Sequence, residues 1–413
     1  MADAEKGEAS ATSSVAESIR SVTCTAPVNI AVIKYWGKRN EELILPTNDS
    51  LSATLDQDHL KSTTTAAISP DFEKDRIWLN GKEESIKNPR LQNCLKEIKR
   101  RARKRKGNED VTSGLLNWHI HICSENNFPT AAGLASSAAG YACLVYSLAK
   151  LYGIQGDVTD IARQGSGSAC RSIHGGFVQW VTGQRADGTD SRGLLVADEK
   201  HWPEMRILVL VVSDQKKHTG STVGMRNSVK TSEFLNFRVE HEVPQRMKDI
   251  LEAIKEKDYA TFAELTMKDS NQMHAVCLDT YPPISYMNDT SRKIVRLIHE
   301  YNDHKGKISA AYTFDAGPNA VLYLLEENVS EVLSLIKNYF PPKENNEGNS
   351  FIRGFKEDSA KELSQELKSS ISLEPSQGAI KYVISTRIGP GAQVVEDKDA
   401  SLLNENGMPK KQL

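Results

Sequence analysis

Hydrophobic and polar positions alternate in short runs over the first quarter of the chain. Val22–Ile33, rich in Val, Thr and Ile, reads as a strand or strand pair, with Pro27 at an edge or bend. Ser50–Leu55, Thr63–Ile68 and Arg76–Leu79 alternate or are β-branched, and Asn80-Gly81 is a hairpin signal, so an antiparallel sheet is expected. Arg90–Ala102 places Leu91, Cys94, Leu95 and Ile98 on one helical face. Trp118–Cys123 gives another strand. Tyr141–Tyr152 is apolar nearly all round, which predicts a buried helix. Asp160–Arg163 reads as a short helix and Phe177–Val181 as a strand.

The pattern shifts after Gly183, where Arg185–Asp190 is polar and turn-like. A new unit starts near Met205 with the strand Arg206–Ser213. Lys216–Val223 reads as a polar loop, Val243–Leu265 as one helix, and Pro282-Pro283 as a helix break. Ser291–Tyr301 is helical by spacing, Val321–Leu325 is a strand, and Pro341–Ser350 is a polar surface loop. Lys381–Thr386 is expected as a final strand closing the second lobe. The expected division is a loose tail over 1–20, an N-terminal lobe over 21–204 and a C-terminal lobe over 205–413.

Composition narrows the class. The chain has 413 residues, 39% apolar and 26% charged, with a net charge of −2, so nothing draws it as a whole to nucleic acid or an anionic membrane. Its longest aliphatic run, Ile207–Val212, suits a buried strand and is far too short to span a bilayer. The first twenty residues lack an apolar centre and carry Asp3, Glu5, Glu8 and Glu17, unlike a secretory or mitochondrial leader. Six cysteines without a CxxC pair argue against a disulfide framework or zinc site and fit a reducing cytosol. The basic block Lys99–Lys106 reads as a solvated helix end.

The candidate chemistry centres on Pro129–Gly140, a run of small residues that opens onto the buried helix. Gly133 frees the backbone there, and Ser136 and Ser137 stand where the helix could start. Free N–H groups at a helix N-terminus make an anion site, phosphate above all; a tight packed loop is the other reading of such a stretch. Lys34-Tyr35-Trp36-Gly37-Lys38-Arg39 follows the first strand, and its aromatic residues would turn Lys34 or Lys38 towards a cleft. Gly165–Ser172 is a second small-residue loop, carrying Ser166, Ser168 and Arg171, whose guanidinium could grip a carboxylate or phosphate. Asp315 sits between a strand-like run and a Gly-Pro turn, as a backbone cap or as a base. There is no GxxxxGKS or GxxxxGKT loop, no GxGxxG after a strand and no His/Glu metal cluster. These residues alone reach ATP-dependent chemistry on a small anionic substrate, and stop there.

Four blocks carry a resemblance: Asn29–Lys38, Asn127–Gly140, Gly165–Ser172 and Tyr312–Asn319. In that order they resemble the mevalonate diphosphate decarboxylase family within the GHMP kinase superfamily, from about Val22 onward. Ala135 stands where the kinases usually carry Gly, and Asp315-Ala-Gly-Pro-Asn319 replaces their Gly-rich third motif, which favours the decarboxylase branch over a simple kinase. The resemblance implies an α+β, two-lobed GHMP-type fold: an N-terminal lobe like ribosomal protein S5 domain 2, a ferredoxin-like C-terminal lobe, and a cleft between them. It implies ATP-dependent conversion of mevalonate 5-diphosphate to isopentenyl diphosphate, ADP, phosphate and CO2, in isoprenoid and sterol synthesis. It implies Mg2+ carried on nucleotide phosphates without a protein cage, a cytosolic homodimer, and neither nucleic-acid nor membrane partners. By the same likeness Asp315 is the base, Lys34 offsets developing charge and Arg171 orients the substrate carboxylate. Tyr35, Trp36, Gly37, Lys38, Arg90, Ser166, Gly167, Ser168, Ala169, Cys170 and Thr222 fall at substrate positions, and Gly133, Leu134, Ala135, Ser136 and Ser137 at ATP-phosphate positions.

Overall fold

The computed structural model describes residues 19–105, 114–128, 136–213, 218–343, 350–355 and 362–411. Within these residues three larger sheets carry the fold. The first has six strands in the order Gln393–Val394, Arg20–Pro27, Lys61–Ser69, His119–Asn126, Arg76–Leu79 and Lys82–Glu84. Asn80 and Gly81 take φ of 48° and 82°, the paired positive values of a tight hairpin, and so join its last two strands. The sheet is not purely antiparallel as expected, because Arg76–Leu79 runs parallel to His119–Asn126. The connection between them includes the hairpin strand Lys82–Glu84 and the helix Pro89–Arg105, whose apolar face Leu91, Cys94, Leu95 and Ile98 is buried.

The all-round apolar segment folds as the helix Ser136–Leu151 and lies on the strands Arg20–Pro27 and Lys61–Ser69. Ala138, Ala139, Ala142 and Cys143 are fully buried, and their small size allows close approach to the sheet. Ser147 Oγ donates to the Thr64 carbonyl at 3.3 Å and Cys143 Sγ to the Cys24 carbonyl at 3.1 Å. The second sheet is Gly193–Ala197, Phe177–Trp180, Ser50–Thr54 and Asn29–Ile33, all antiparallel.

The third sheet holds the second lobe: Ala310–Phe314, Ala320–Leu325, Met205–Val211, Tyr382–Arg387 and Ile352–Gly354. All seven residues of Met205–Val211 are buried, and a fully buried Leu, Ile or Val contributes about 1.5–3 kcal/mol. Tyr382–Arg387 is the last strand of this sheet in chain order, as expected, and lies inside it between Met205–Val211 and Ile352–Gly354. After it the chain crosses back, and Gln393–Val394 pairs with Arg20–Pro27 of the first sheet. The expected single helix Val243–Leu265 is two helices, Val243–Glu256 and Tyr259–Asp279, divided at Lys257, whose φ is 56°. Asp258 caps the second by accepting from Thr261 N. Most of the expected tail, the core of the expected Pro341–Ser350 loop and the phosphate-loop residues Gly133, Leu134 and Ala135 lie outside the described residues. Among the described residues, no helix is long and apolar enough to cross a membrane.

Candidate active site

A cleft of about 580 Å³ opens where the second sheet meets the second lobe. Lys34 leaves the strand Asn29–Ile33 and is 2% exposed. Its Nζ meets Asp315 Oδ1 at 2.5 Å, and the Asp315 side chain is 31% exposed. Asp315 follows the strand Ala310–Phe314, so the two lobes each supply one partner of this ion pair. Asp315 lines the cleft, where a substrate hydroxyl could reach its carboxylate.

Arg171 enters the same cleft from the segment Gly167–Ser172, which is a 3-10 helix and not the loop expected. Its Nε donates to Ser52 Oγ at 2.9 Å and Asn29 Oδ1 at 3.3 Å, and Nη1 donates to Ser50 Oγ at 2.6 Å. The guanidinium carbon lies 5.8 Å from the Trp180 ring centre. Burial chiefly pulls its pKa down, yet arginine stays charged. Neutral hydroxyls hold this cation, which keeps its charge available to a carboxylate or phosphate.

Lys38 and Arg90 line the cleft farther out. Lys38 Nζ pairs with Glu41 at 3.1 Å and Arg90 Nη2 reaches Thr222 Oγ1 at 3.3 Å. Burial is the main influence lowering the Lys38 pKa, and Glu41 opposes it. Ser166, Gly167, Ser168, Thr222, Tyr35 and Trp36 also line the cleft. The buried Tyr35 hydroxyl has no hydrogen-bond partner among the described residues, and burial pushes its pKa up. Four cations against one inner carboxylate select an anionic ligand.

Three expected positions fall outside the cleft lining. Gly37 makes a turn at φ 110°, where a Cβ would stand 2.8 Å from Thr47 Oγ1. Ala169 and Cys170 point into the core, both 0% exposed, and burial pushes the Cys170 thiol up to about 12. They hold the turn that aims Ser168 and Arg171.

Ser136 and Ser137 stand at the start of the long buried helix and line two cavities at once. Ser137 Oγ lies 3.2 Å from Ser166 Oγ. The second cavity, about 570 Å³, is walled by Ile77, Leu79, Leu91, Ile122, Tyr141 and Leu144 and rimmed by Asn80, Lys87 and Asn88. A charged cleft and an apolar pocket thus meet at Ser136 and Ser137, at one helix N-terminus, where an anion would be favoured. The reading of the residues missed this pocket, as well as Ser50, Ser52 and Asn29 behind Arg171. Ser50 and Ser52 share one strand face, a period-2 pattern that marks them once Arg171 is suspected.

Among the described residues no three His, Cys, Asp or Glu side chains cluster to hold a metal ion. The helix N-terminus fits a nucleotide's phosphates, and the Ser136 and Ser137 hydroxyls fit a divalent ion delivered on them.

Comparison with known proteins gives the family. Residues 26–193 match the family model described as diphosphomevalonate decarboxylase-like N-terminal domain. Residues 207–395 match that of the mevalonate 5-diphosphate decarboxylase C-terminal domain. Diphosphomevalonate decarboxylase of Rattus norvegicus is 58% identical over 394 residues, 95% of this chain and 98% of its own. The solved mevalonate diphosphate decarboxylase of Trypanosoma brucei is 37% identical, with a TM-score of 0.86 over 93% of this chain and 100% of its own. Another solved structure, a complex with MVAPP, AMPPCP and magnesium, is 29% identical with a TM-score of 0.70 over 92% of this chain and 100% of its own. With two domain models matched in order and a relative this similar along nearly its whole length, the chain, of GHMP-type fold, belongs to the diphosphomevalonate decarboxylase family.

Proposed function

We propose that this chain is a carbon–carbon lyase that converts mevalonate 5-diphosphate and ATP to isopentenyl diphosphate, ADP, phosphate and CO2. One observation carries the reading: the Lys34–Asp315 pair and the hydroxyl-held Arg171 line one cationic cleft, which meets an apolar pocket at Ser136 and Ser137. Asp315 takes the proton of the substrate's tertiary hydroxyl as its oxygen attacks the γ-phosphorus of ATP and ADP departs. Lys34, fixed against Asp315, offsets the charge that grows on the attacking oxygen and the moving phosphoryl group. Arg171 holds the substrate carboxylate so that the C–C bond to be broken lies in line with the C–O bond. The C–O electron pair then leaves with phosphate, the C–C pair becomes the new double bond, and CO2 is released. Lys38, Arg90, Ser166, Ser168 and Thr222 hold the diphosphate, and the pocket of Ile77, Tyr141 and Leu144 takes the base of the nucleotide. Mg2+ bound with the nucleotide would neutralise charge on the transferred phosphoryl group.

The finer reading of a cytosolic homodimer rests on the family likeness, and that of lobes dividing near 204/205 on the change of pattern along the chain, with the chain after Arg387 returning to the first sheet. Purified protein with ATP and carboxyl-labelled mevalonate 5-diphosphate tests the proposal. Labelled CO2 and isopentenyl diphosphate should appear in equal amounts. ATP turnover without gas release would make the chain a kinase that stops at phosphorylation.

A further inference from the structure

Lys34 is the first residue beyond its strand, so the sheet no longer pairs its backbone. A buried cluster from the second lobe takes over both groups. Lys34 N donates to Asp269 Oδ1 at 2.7 Å, on the helix Tyr259–Asp279. The Lys34 carbonyl accepts from Arg238 Nη2 at 3.2 Å and from Asn48 Nδ2 at 3.1 Å. Arg238 and Asp269 are joined by two parallel bonds of 2.8 Å, and both side chains are 0% exposed. Arg238 opens a π-helical turn, Arg238–Glu242, between two α-helical segments. Arg246 adds a contact to Asp269 Oδ2 at 3.2 Å and pairs with Glu242 at 2.8 Å, so the cluster of two arginines, Asp269 and Glu242 is neutral.

Such a cluster is a poor choice for packing alone. A buried ion pair loses its hydration, and apolar residues of the same volume would hold the helices as well or better. Arg238 Nε also has no hydrogen-bond partner among the described residues, a further cost. What an apolar substitute cannot supply is an acceptor for the Lys34 N–H and a donor for the Lys34 carbonyl, held at fixed spacing on either side of one Cα.

We infer that Arg238 and Asp269, together with Asn48, are positioning residues that clamp the Lys34 backbone and so aim its ammonium at Asp315. The inference rests on the reading of Lys34 and Asp315 as the reacting pair. Neither Arg238 nor Asp269 is among the residues that line the cleft, so the clamp acts on the rate and leaves binding alone. An ammonium displaced by an ångström costs on the order of 100-fold in rate.

The test compares kcat and KM in full-length variants, with folding checked by near-UV circular dichroism. Arg238→Lys keeps a cation beside Asp269 but cannot also reach the Lys34 carbonyl. Its kcat should fall about 10- to 100-fold, with both KM values within about 2-fold of the parent. Arg246→Gln removes a guanidinium from the same carboxylate without touching Lys34, and its kcat should stay within about 2-fold of the parent. An unchanged kcat in folded Arg238→Lys, or an equal loss in Arg246→Gln, would overturn the clamp. If Arg238→Lys does not fold, Asn48→Ala decides: the expected result is a roughly 3- to 10-fold loss in kcat at unchanged KM, and normal kcat overturns the inference. Lys34→Met separates the two levels. Full activity there removes the reacting pair itself, whereas an inactive Lys34→Met beside a normal Arg238→Lys removes only the clamp.

Discussion

Asp315→Asn removes one negative charge and one base while keeping the side chain's shape. In the parent the carboxylate accepts from Lys34 Nζ at 2.5 Å. An amide will turn its oxygen to that ammonium, which leaves its NH2 group facing the cleft. The substrate hydroxyl then meets a donor where it needs an acceptor. Loss of a general base costs 10²- to 10⁴-fold, or about 3 to 5 kcal/mol of barrier, and the reversed hydrogen bond puts this change at the upper end. Stability should change less. A hydrogen bond between charged groups contributes about 1.5–3 kcal/mol, and Asp315 is 31% exposed, so water takes up part of the loss and about 1–2 kcal/mol is expected. The assay follows labelled CO2 and inorganic phosphate together, with binding of a fluorescent ATP analogue measured on the same protein. Both products should be lost while nucleotide affinity stays within about 2-fold. A kcat within tenfold of the parent would refute Asp315 as the base, because no positioned amide can accept that proton.

Three other outcomes follow from the geometry. Ser50→Ala strips the 2.6 Å acceptor from the buried Arg171 guanidinium, which should raise KM for mevalonate 5-diphosphate about 5- to 50-fold and leave KM for ATP unchanged in steady-state kinetics. Leu79→Asn alters the wall of the apolar pocket at a residue 42% exposed, so folding should be intact while KM for ATP rises about 3- to 10-fold and KM for the other substrate does not. Burial first, then the Lys34 ammonium, pushes the His274 imidazole down to about 4 from an ordinary 6.5. The unfolded chain binds the extra proton between those values, so the contribution is whole above pH 6.5 and is lost as pH falls to about 4, by about 3 kcal/mol. Urea midpoints at pH 7 and pH 4.5 should therefore differ less in His274→Gln than in the parent, and equal pH sensitivity would reject this role.

What the sequence reveals follows the range of the interaction. The helix Ser136–Leu151 and the Asn80-Gly81 hairpin are legible because their signals lie within a few neighbouring residues. Lys257 is harder, since a left-handed lysine between two good helical stretches leaves no Gly or Pro, and only the Asp258 cap on Thr261 marks the break. The parallel pairing of Arg76–Leu79 with His119–Asn126 depends on a helical crossover whose direction no local pattern fixes. At the site, Lys34, Arg171 and Asp315 are legible through their blocks. Their supports are not, because Asp269 lies 235 positions from Lys34 and Arg238 lies 204.

That separation explains how the cleft is held. The strand Asn29–Ile33 is wholly buried, with its sheet on one side and the second lobe on the other. Tyr323 Oη donates to the Ile30 carbonyl at 3.0 Å, and Phe177 of the second sheet meets Phe262 of the second lobe at 5.9 Å between ring centres. One hydrophobic core therefore runs through the seam, including Val28, Ile30 and Leu51 on one side and Val209, Phe262 and Leu322 on the other. A dense core resists deformation, so it sets the depth at which Lys34 emerges, and the polar bonds to Asp269 and Arg238 set its direction. An ion pair drawn from both lobes can then meet at 2.5 Å while the Asp315 side chain stays 31% exposed. Packing alone would leave the ammonium free to swing. Hydrogen bonds alone would leave the lobes free to part. The reacting geometry needs both, which is why residues so far apart in the chain serve one side chain.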